Sequence, residues 1–167
     1  HLLIRRKVPW SAVLDVYLLQ NGKLKLVVER IQAGLTYVDD TIRDVNGDKY
    51  VDFLVHWYPS SGCCLADVFN VYLYQPKTGT FTSDYEFINP KFLPDDKIIR
   101  GLLYGHPGEV GLYKYKWNGL LVDTIEFIYP SFSQKGKFIK TARHEFRPTP
   151  KEGVLLNKLP KEYMKLD

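Results

Sequence analysis

The chain has 167 residues, 45% of them hydrophobic and 25% charged, with a net charge of +4 at pH 7. That length suits one well-developed core, and the balance is that of an ordinary soluble globular protein. No uninterrupted apolar run approaches the roughly 18 residues of a membrane-spanning helix, and the dispersed basic residues, without an RNA-binding aromatic signature or a helix-turn-helix pattern, argue against nucleic acid as a partner.

The aromatic load, 12 Tyr, 9 Phe and 3 Trp against a single Met, favours strands. Residues 12–20 and 23–32 are strand-like, and Asn21-Gly22 between them is the strongest short signal for a hairpin turn. Residues 34–40 and 50–57 form a second extended pair around an acidic loop. Past the turn-rich stretch 58–62, residues 68–74 alternate and are predicted to pair with 80–86 across a turn at 75–79. Residues 89–96, with two prolines and two acids, read as a connecting loop. Residues 97–104, 111–117 and 120–128 read as a meander turned at 105–108 and at Asn118-Gly119, and 137–146 adds a strand. The tail from Arg147, with Pro148, Pro150 and Pro160, reads as irregular with at most a short helical turn.

The predicted organisation is therefore a single all-β domain over residues 1–147, built of antiparallel hairpins and a meander, with an irregular basic tail over 148–167. Roughly nine or ten short strands leave a sandwich, a barrel or a propeller-like stack open. Without a strict internal repeat, a propeller would have to be partial or degenerate.

The only cysteines are the neighbours Cys63 and Cys64, so the chain is no disulfide scaffold. A vicinal disulfide in an oxidising compartment, two buried thiols and an intermolecular bridge all remain open. A start at His1 fits removal of an upstream signal or lipoprotein anchor, and equally a trimmed chain. Residues 39–96 hold ten acids against four bases, and 131–167 nine bases against four acids. The two regions either suit different partners or are solvated surface clustered in sequence.

One motif carries chemistry. Asp44, Asn46, Asp48 and Asp52 put side-chain oxygens at positions one, three, five and nine of a loop, the spacing of a hard-cation site. Calcium takes about six to eight oxygens; these four, the Tyr50 carbonyl and water can supply them. Three carboxylates within nine residues repel one another unless a cation or solvent relieves them. The twelfth position is Val55 in an apparent strand, so this is not an EF-hand, and Lys49 occupies the sixth, where Gly usually allows the sharp turn. The competing reading is an Asn-Gly turn with solvated aspartates.

Other candidates are weaker. His56 reads as a satisfied sheet histidine, His106 lies in a glycine loop, and His144-Glu145 lacks a second histidine at zincin spacing. No Gly-x-Ser-x-Gly elbow or phosphate loop is present, so the chain reads as non-enzymatic.

The cation loop running into a strand is followed by Tyr72-Leu73-Tyr74, Lys77-Thr78-Gly79-Thr80-Phe81, Asn89-Pro90, the glycine loop at 105–111, Tyr113-Lys114-Tyr115 and Asn118-Gly119. This ordered series, over residues 36–128, resembles the bacterial extracytoplasmic family of propeller-like calcium proteins that includes a lysozyme inhibitor paired with a type IV secretion effector. The resemblance implies a half-propeller-like fold, a location in the bacterial envelope, a structural Ca²⁺ and inhibition of a lysozyme-like peptidoglycan hydrolase. Lys49 departs from the family's usual Gly.

An inhibitor inserts a rigid loop into a cleft with complementary charge. The expected partner surface is therefore Tyr58, Ser61 and Gly62 in one loop with His106 and Glu109 in another, on a monomer. The alternative is an adhesion or glycan-binding module in which exposed Trp57, Trp117 and tyrosines stack on sugars. A third reading, a hydrolase, rests on His56 or His106.

Overall fold

Asn21 and Gly22 both adopt left-handed backbone, φ 52° and 72°, as a two-residue turn matched to strand twist requires. They join β2 (Ser11–Gln20) to β3 (Lys23–Ile31), the predicted first hairpin. This computed structural model describes residues 1–9, 11–31, 34–59, 66–103, 110–144 and 148–164, excluding the side chain of Ser11. Within them the chain is all-β with antiparallel pairing, as expected. Two compact units emerge: residues 1–44 with 49–87, and residues 45–48 with 88–167.

In the first unit, β1 (Leu2–Val8) pairs with β2 to complete a three-stranded sheet in the order β1-β2-β3. This strand lies outside the sequence expectation, because Arg5, Arg6 and Lys7 interrupt its apolar pattern. A second sheet runs β4 (Leu35–Arg43), β5 (Asp52–Pro59), β6 (Val68–Tyr72) and β9 (Tyr85–Ile88). The predicted pairing of 34–40 with 50–57 is thus realised, extended to a register of Arg43 opposite Asp52.

The predicted pairing of 68–74 with 80–86 is realised in pieces. The short ribbon β7 (Tyr74–Gln75) with β8 (Thr80–Phe81) carries the turn, while β9 lies beside β6. Between them the ladder uses a side chain: Leu73 N–H donates to Thr82 Oγ1 at 3.0 Å.

The facing sides of the two sheets meet in one core. Leu14, Val16 and Val28 come from the first sheet, Phe53, Val55, Trp57 and Tyr72 from the second. Each such fully buried side chain contributes about 1.5–3 kcal/mol. Polar links cross at the side: Arg30 Nε donates to Asn70 Oδ1 at 3.1 Å, and buried Asn70 donates onward to Asp84 at 3.0 Å. An Asn with both ends engaged is tolerable in a core where an unpaired one would not be.

The second unit contains a six-stranded antiparallel sheet in chain order: β10 (Pro90–Leu93), β11 (Ile98–Leu102), β12 (Leu112–Asn118), β13 (Leu121–Pro130), β14 (Phe138–Thr141) and β15 (Val154–Leu156). The meander is as predicted, including the turn where Gly119 takes φ 61°; its other turn, at 105–108, lies outside the described residues.

Two expectations are corrected here. Residues 89–96 are not simply a loop, since β10 occupies the sheet edge before a 3-10 turn (Pro94–Asp96); Pro90 is tolerated as the first residue of an edge strand. Part of the supposedly irregular tail is the other edge strand, β15. Past it, the 3-10 turn Lys161–Tyr163 buries Tyr163 against Leu112 and Ile128, with its hydroxyl donating to Glu126 at 2.8 Å. Prolines kept the tail from reading as a strand, yet three residues suffice to pair.

Gly101 stands opposite Tyr113 across β11 and β12. A Cβ there would lie 2.3 Å from the Tyr113 hydroxyl oxygen and 2.6 Å from the Asn89 carbonyl oxygen. Tyr113 is buried and donates to the Ile88 carbonyl at 2.8 Å, so it has nowhere to retreat without losing that bond. Gly101→Ala is expected to destabilise the protein by about 1–3 kcal/mol in urea unfolding; an unchanged midpoint would contradict this account of the position.

Candidate functional site

The acidic segment leaves β4 after Arg43 and returns at Asp52, two residues held opposite each other. Its ends belong to the first unit. There Lys49 N–H donates to Asp44 Oδ2 at 2.8 Å, turning that carboxylate back over its own loop. Asp52 is wholly buried at the start of β5, and its Oδ1 accepts the Tyr74 N–H at 3.0 Å. Residues 45–48 belong to the second unit. Asn46, 2% exposed, accepts the Asp48 N–H at Oδ1 and donates to the Asp48 carboxylate at Oδ2, both at 3.1 Å, an Asx turn.

The turn demands left-handed backbone at two places. Gly47 takes φ 75°, and a Cβ on it would stand 2.2 Å from the Pro94 carbonyl oxygen, so both dihedral and space call for glycine. Lys49 takes φ 71° although it carries a side chain, a conformation that costs about 1–2 kcal/mol in a residue other than glycine. The departure noted in the sequence therefore leaves the bend intact while adding strain.

As a donor set, Asp44, Asn46, Asp48, Asp52 and the Tyr50 carbonyl fit calcium in kind: every atom is a hard oxygen. The hydrogen bonds bring Asn46 and Asp48 together and direct Asp44 onto Lys49 and Asp52 onto Tyr74. Among the described residues, no group of three or more His, Cys, Asp or Glu side chains is arranged to hold a metal.

Of the expected partner surface, Tyr58 is half-buried near the end of β5, opposite Thr36. Ser61, Gly62, His106 and Glu109 lie outside the described residues, as do Cys63 and Cys64. The aromatic platform expected of a glycan-binding module is corrected: Trp57 and Trp117 are 0% and 2% exposed and belong to the interior. A sugar cannot stack on them. His56 is engaged within its sheet, its Nε2 2.8 Å from Asp67 Oδ1 and its ring stacked on Phe69 at 4.4 Å.

Sequence reasoning missed a polar cluster in the first unit. Arg5 on β1 donates to Asp40 on β4 through Nε to Oδ2 at 2.5 Å and Nη2 to Oδ1 at 2.6 Å, while the Tyr37 hydroxyl donates to Oδ2 at 2.5 Å. Desolvation pushes the Asp40 carboxyl up, but the bonds from Arg5 and Tyr37 outweigh it and hold the group below its ordinary range. Burial, with the bond to Asp40, pushes Tyr37 up to about 12. Arg5 and Asp40 also line a cavity. The available signal was an inward-facing charge on each strand, Arg5 two residues from Leu3 and Asp40 two from Ile42; their pairing across 35 positions was not readable.

No family model, no curated protein and no solved structure matches this chain.

Because the Asp40 carboxyl sits lower in the folded than in the unfolded chain, its stabilisation is complete above the unfolded value near 4 and is lost as pH falls through the folded one. Asp40→Asn is expected to lower stability by about 1.5–3 kcal/mol at pH 7, and the gap from the parent protein should narrow as pH falls below about 4. Urea unfolding at several pH values measures it; a gap independent of pH would contradict the assignment of charge to Asp40.

Proposed function

We propose that this chain is a non-enzymatic, calcium-stabilised binding protein of the bacterial envelope, half-propeller-like in architecture, that acts by inhibiting a lysozyme-type peptidoglycan hydrolase. What supports the cation assignment is the spacing of hard-oxygen donors at 44, 46, 48, 50 and 52 along a turn closed by the Lys49 N–H on Asp44 and the Asp48 N–H on Asn46. Asp44, Asn46, Asp48 and Asp52, with the Tyr50 carbonyl, would hold the ion. Bound there, calcium would neutralise crowded carboxylates between two paired strands, a structural rather than catalytic role. Because β5 continues directly from Asp52 to Tyr58, stiffening the segment would also fix the base of the loop assigned to the partner. The inhibitory reading rests on the motif series and on the acidic stretch 39–96, which suits a basic hydrolase. The glycan-binding alternative loses its tryptophans and rests on exposed tyrosines such as Tyr50.

Thermal unfolding with calcium and with chelator tests the first half. At a hundredfold excess over its dissociation constant, calcium should add about 2.7 kcal/mol, and Asp44→Ala should abolish the gain. Residual activity of a panel of lysozymes mixed with the calcium-loaded protein tests the second. A calcium-dependent midpoint with inhibition supports both; a midpoint indifferent to calcium contradicts the cation site, and a calcium-stabilised protein that leaves every lysozyme active contradicts the inhibitory reading.

A further inference from the structure

Between the open margins of the first unit's two sheets lies a cavity of about 780 Å³, within the range of about 300–1,000 Å³ typical of small-molecule sites. Its walls are aromatic. Phe53 and Phe81 meet edge to face with centroids 6.4 Å apart, Tyr74 approaches Phe81 edge to face at 5.7 Å, and Tyr50 adjoins Tyr74 at 5.9 Å. Such mutual contacts fix the rings, so a ligand would find a wall already built.

His1 and Thr41 line the cavity too; the His1 ring packs on Tyr74 and Phe81 at 5.8 and 5.2 Å and its Nε2 lies 2.7 Å from the Gly79 carbonyl oxygen, so the charged equipment facing a ligand is Asp40 and Arg5. Asp40, whose side chain is 5% exposed, already accepts three donors: two from Arg5 and the Tyr37 hydroxyl. Its capacity to accept from a ligand is largely spent and its charge is compensated. Arg5 is the reverse. It spends Nε and one edge of Nη2 on Asp40, leaves Nη1 outside those bonds, and keeps 53% of its side chain exposed. A guanidinium has five N–H donors and no acceptor, and the ion pair with Asp40 holds this one in the cavity's lining. What the cavity offers is a fixed guanidinium donor edge beside an aromatic wall, which suits a ligand whose polar end accepts, and an anion accepts from guanidinium most strongly.

We propose that this cavity binds a small aromatic carboxylic acid, its ring against Tyr50, Tyr74 and Phe81 and its carboxylate on the outer edge of Arg5. The proposal is independent of the lysozyme reading and of calcium.

The test is calorimetric titration of the full chain with 2-naphthoate and with 2-naphthalenemethanol, the same ring without the charge. The acid should bind at one saturable site at least about tenfold more tightly than the alcohol, a difference of about 1.4 kcal/mol. Arg5→Lys, which keeps the charge but not the planar fork, should remove most of that preference. Ile42 lines the cavity and is 67% exposed, so Ile42→Trp should obstruct the site without disturbing the core: naphthoate affinity should fall about tenfold or more with unfolding unchanged. This variant keeps the proposal testable if Arg5→Lys fails to fold. Equal binding of acid and alcohol, no saturable binding of naphthoate, or undiminished affinity in Ile42→Trp would each overturn it.

Discussion

β5 is committed on both edges and on both faces, and the first unit is arranged around that commitment. It pairs with β4 on one side and β6 on the other; Phe53, Val55 and Trp57 enter the core between the sheets, while Asp52 and Leu54 on the alternate face are also buried. A slip of one residue would exchange these two sets and put a carboxylate into the apolar cluster, so the register is strongly fixed. With Arg43 held opposite Asp52, the eight residues between them must depart from and return to adjacent points. The left-handed turns at Gly47 and Lys49 and the hydrogen bonds inside the acidic segment follow from that closure.

Much of this was legible, and the misses have physical reasons. Asn21-Gly22 specifies a turn whose backbone few other dipeptides adopt, so the first hairpin could be read locally. β1 could not: it borrows its register from β2, and Arg5, Arg6 and Lys7 disguise it. Arg6 is answered only in three dimensions, by buried Asp15 at 2.6 Å. β10 and β15 are short edge strands beside prolines, positions where local turn chemistry and membership of a sheet are compatible. Alternation also does not say which face is covered, and this is why Trp57 and Trp117 could be taken for a platform while both are core.

The acidic segment stands out in the sequence because the cation chemistry proposed for it is a matter of spacing along nine residues. The Arg5, Asp40 and Tyr37 cluster was not, since it exists only where β1 and β4 approach one another. Tyr50 belongs to both proposed sites, its carbonyl at the seventh position of the segment and its side chain on the cavity wall. One residue thus gives the cation proposal and the ligand proposal a physical point of contact, although each stands on its own observations.

Tyr50 also offers the most direct test of the central claim, that residues 44–52 hold a hard cation. A terbium ion bound there would lie close to the tyrosine ring and emit when tyrosine is excited. The account predicts saturable sensitised emission, displaced by calcium and removed by Asp44→Ala; emission that is absent, or that survives Asp44→Ala undiminished, would contradict it.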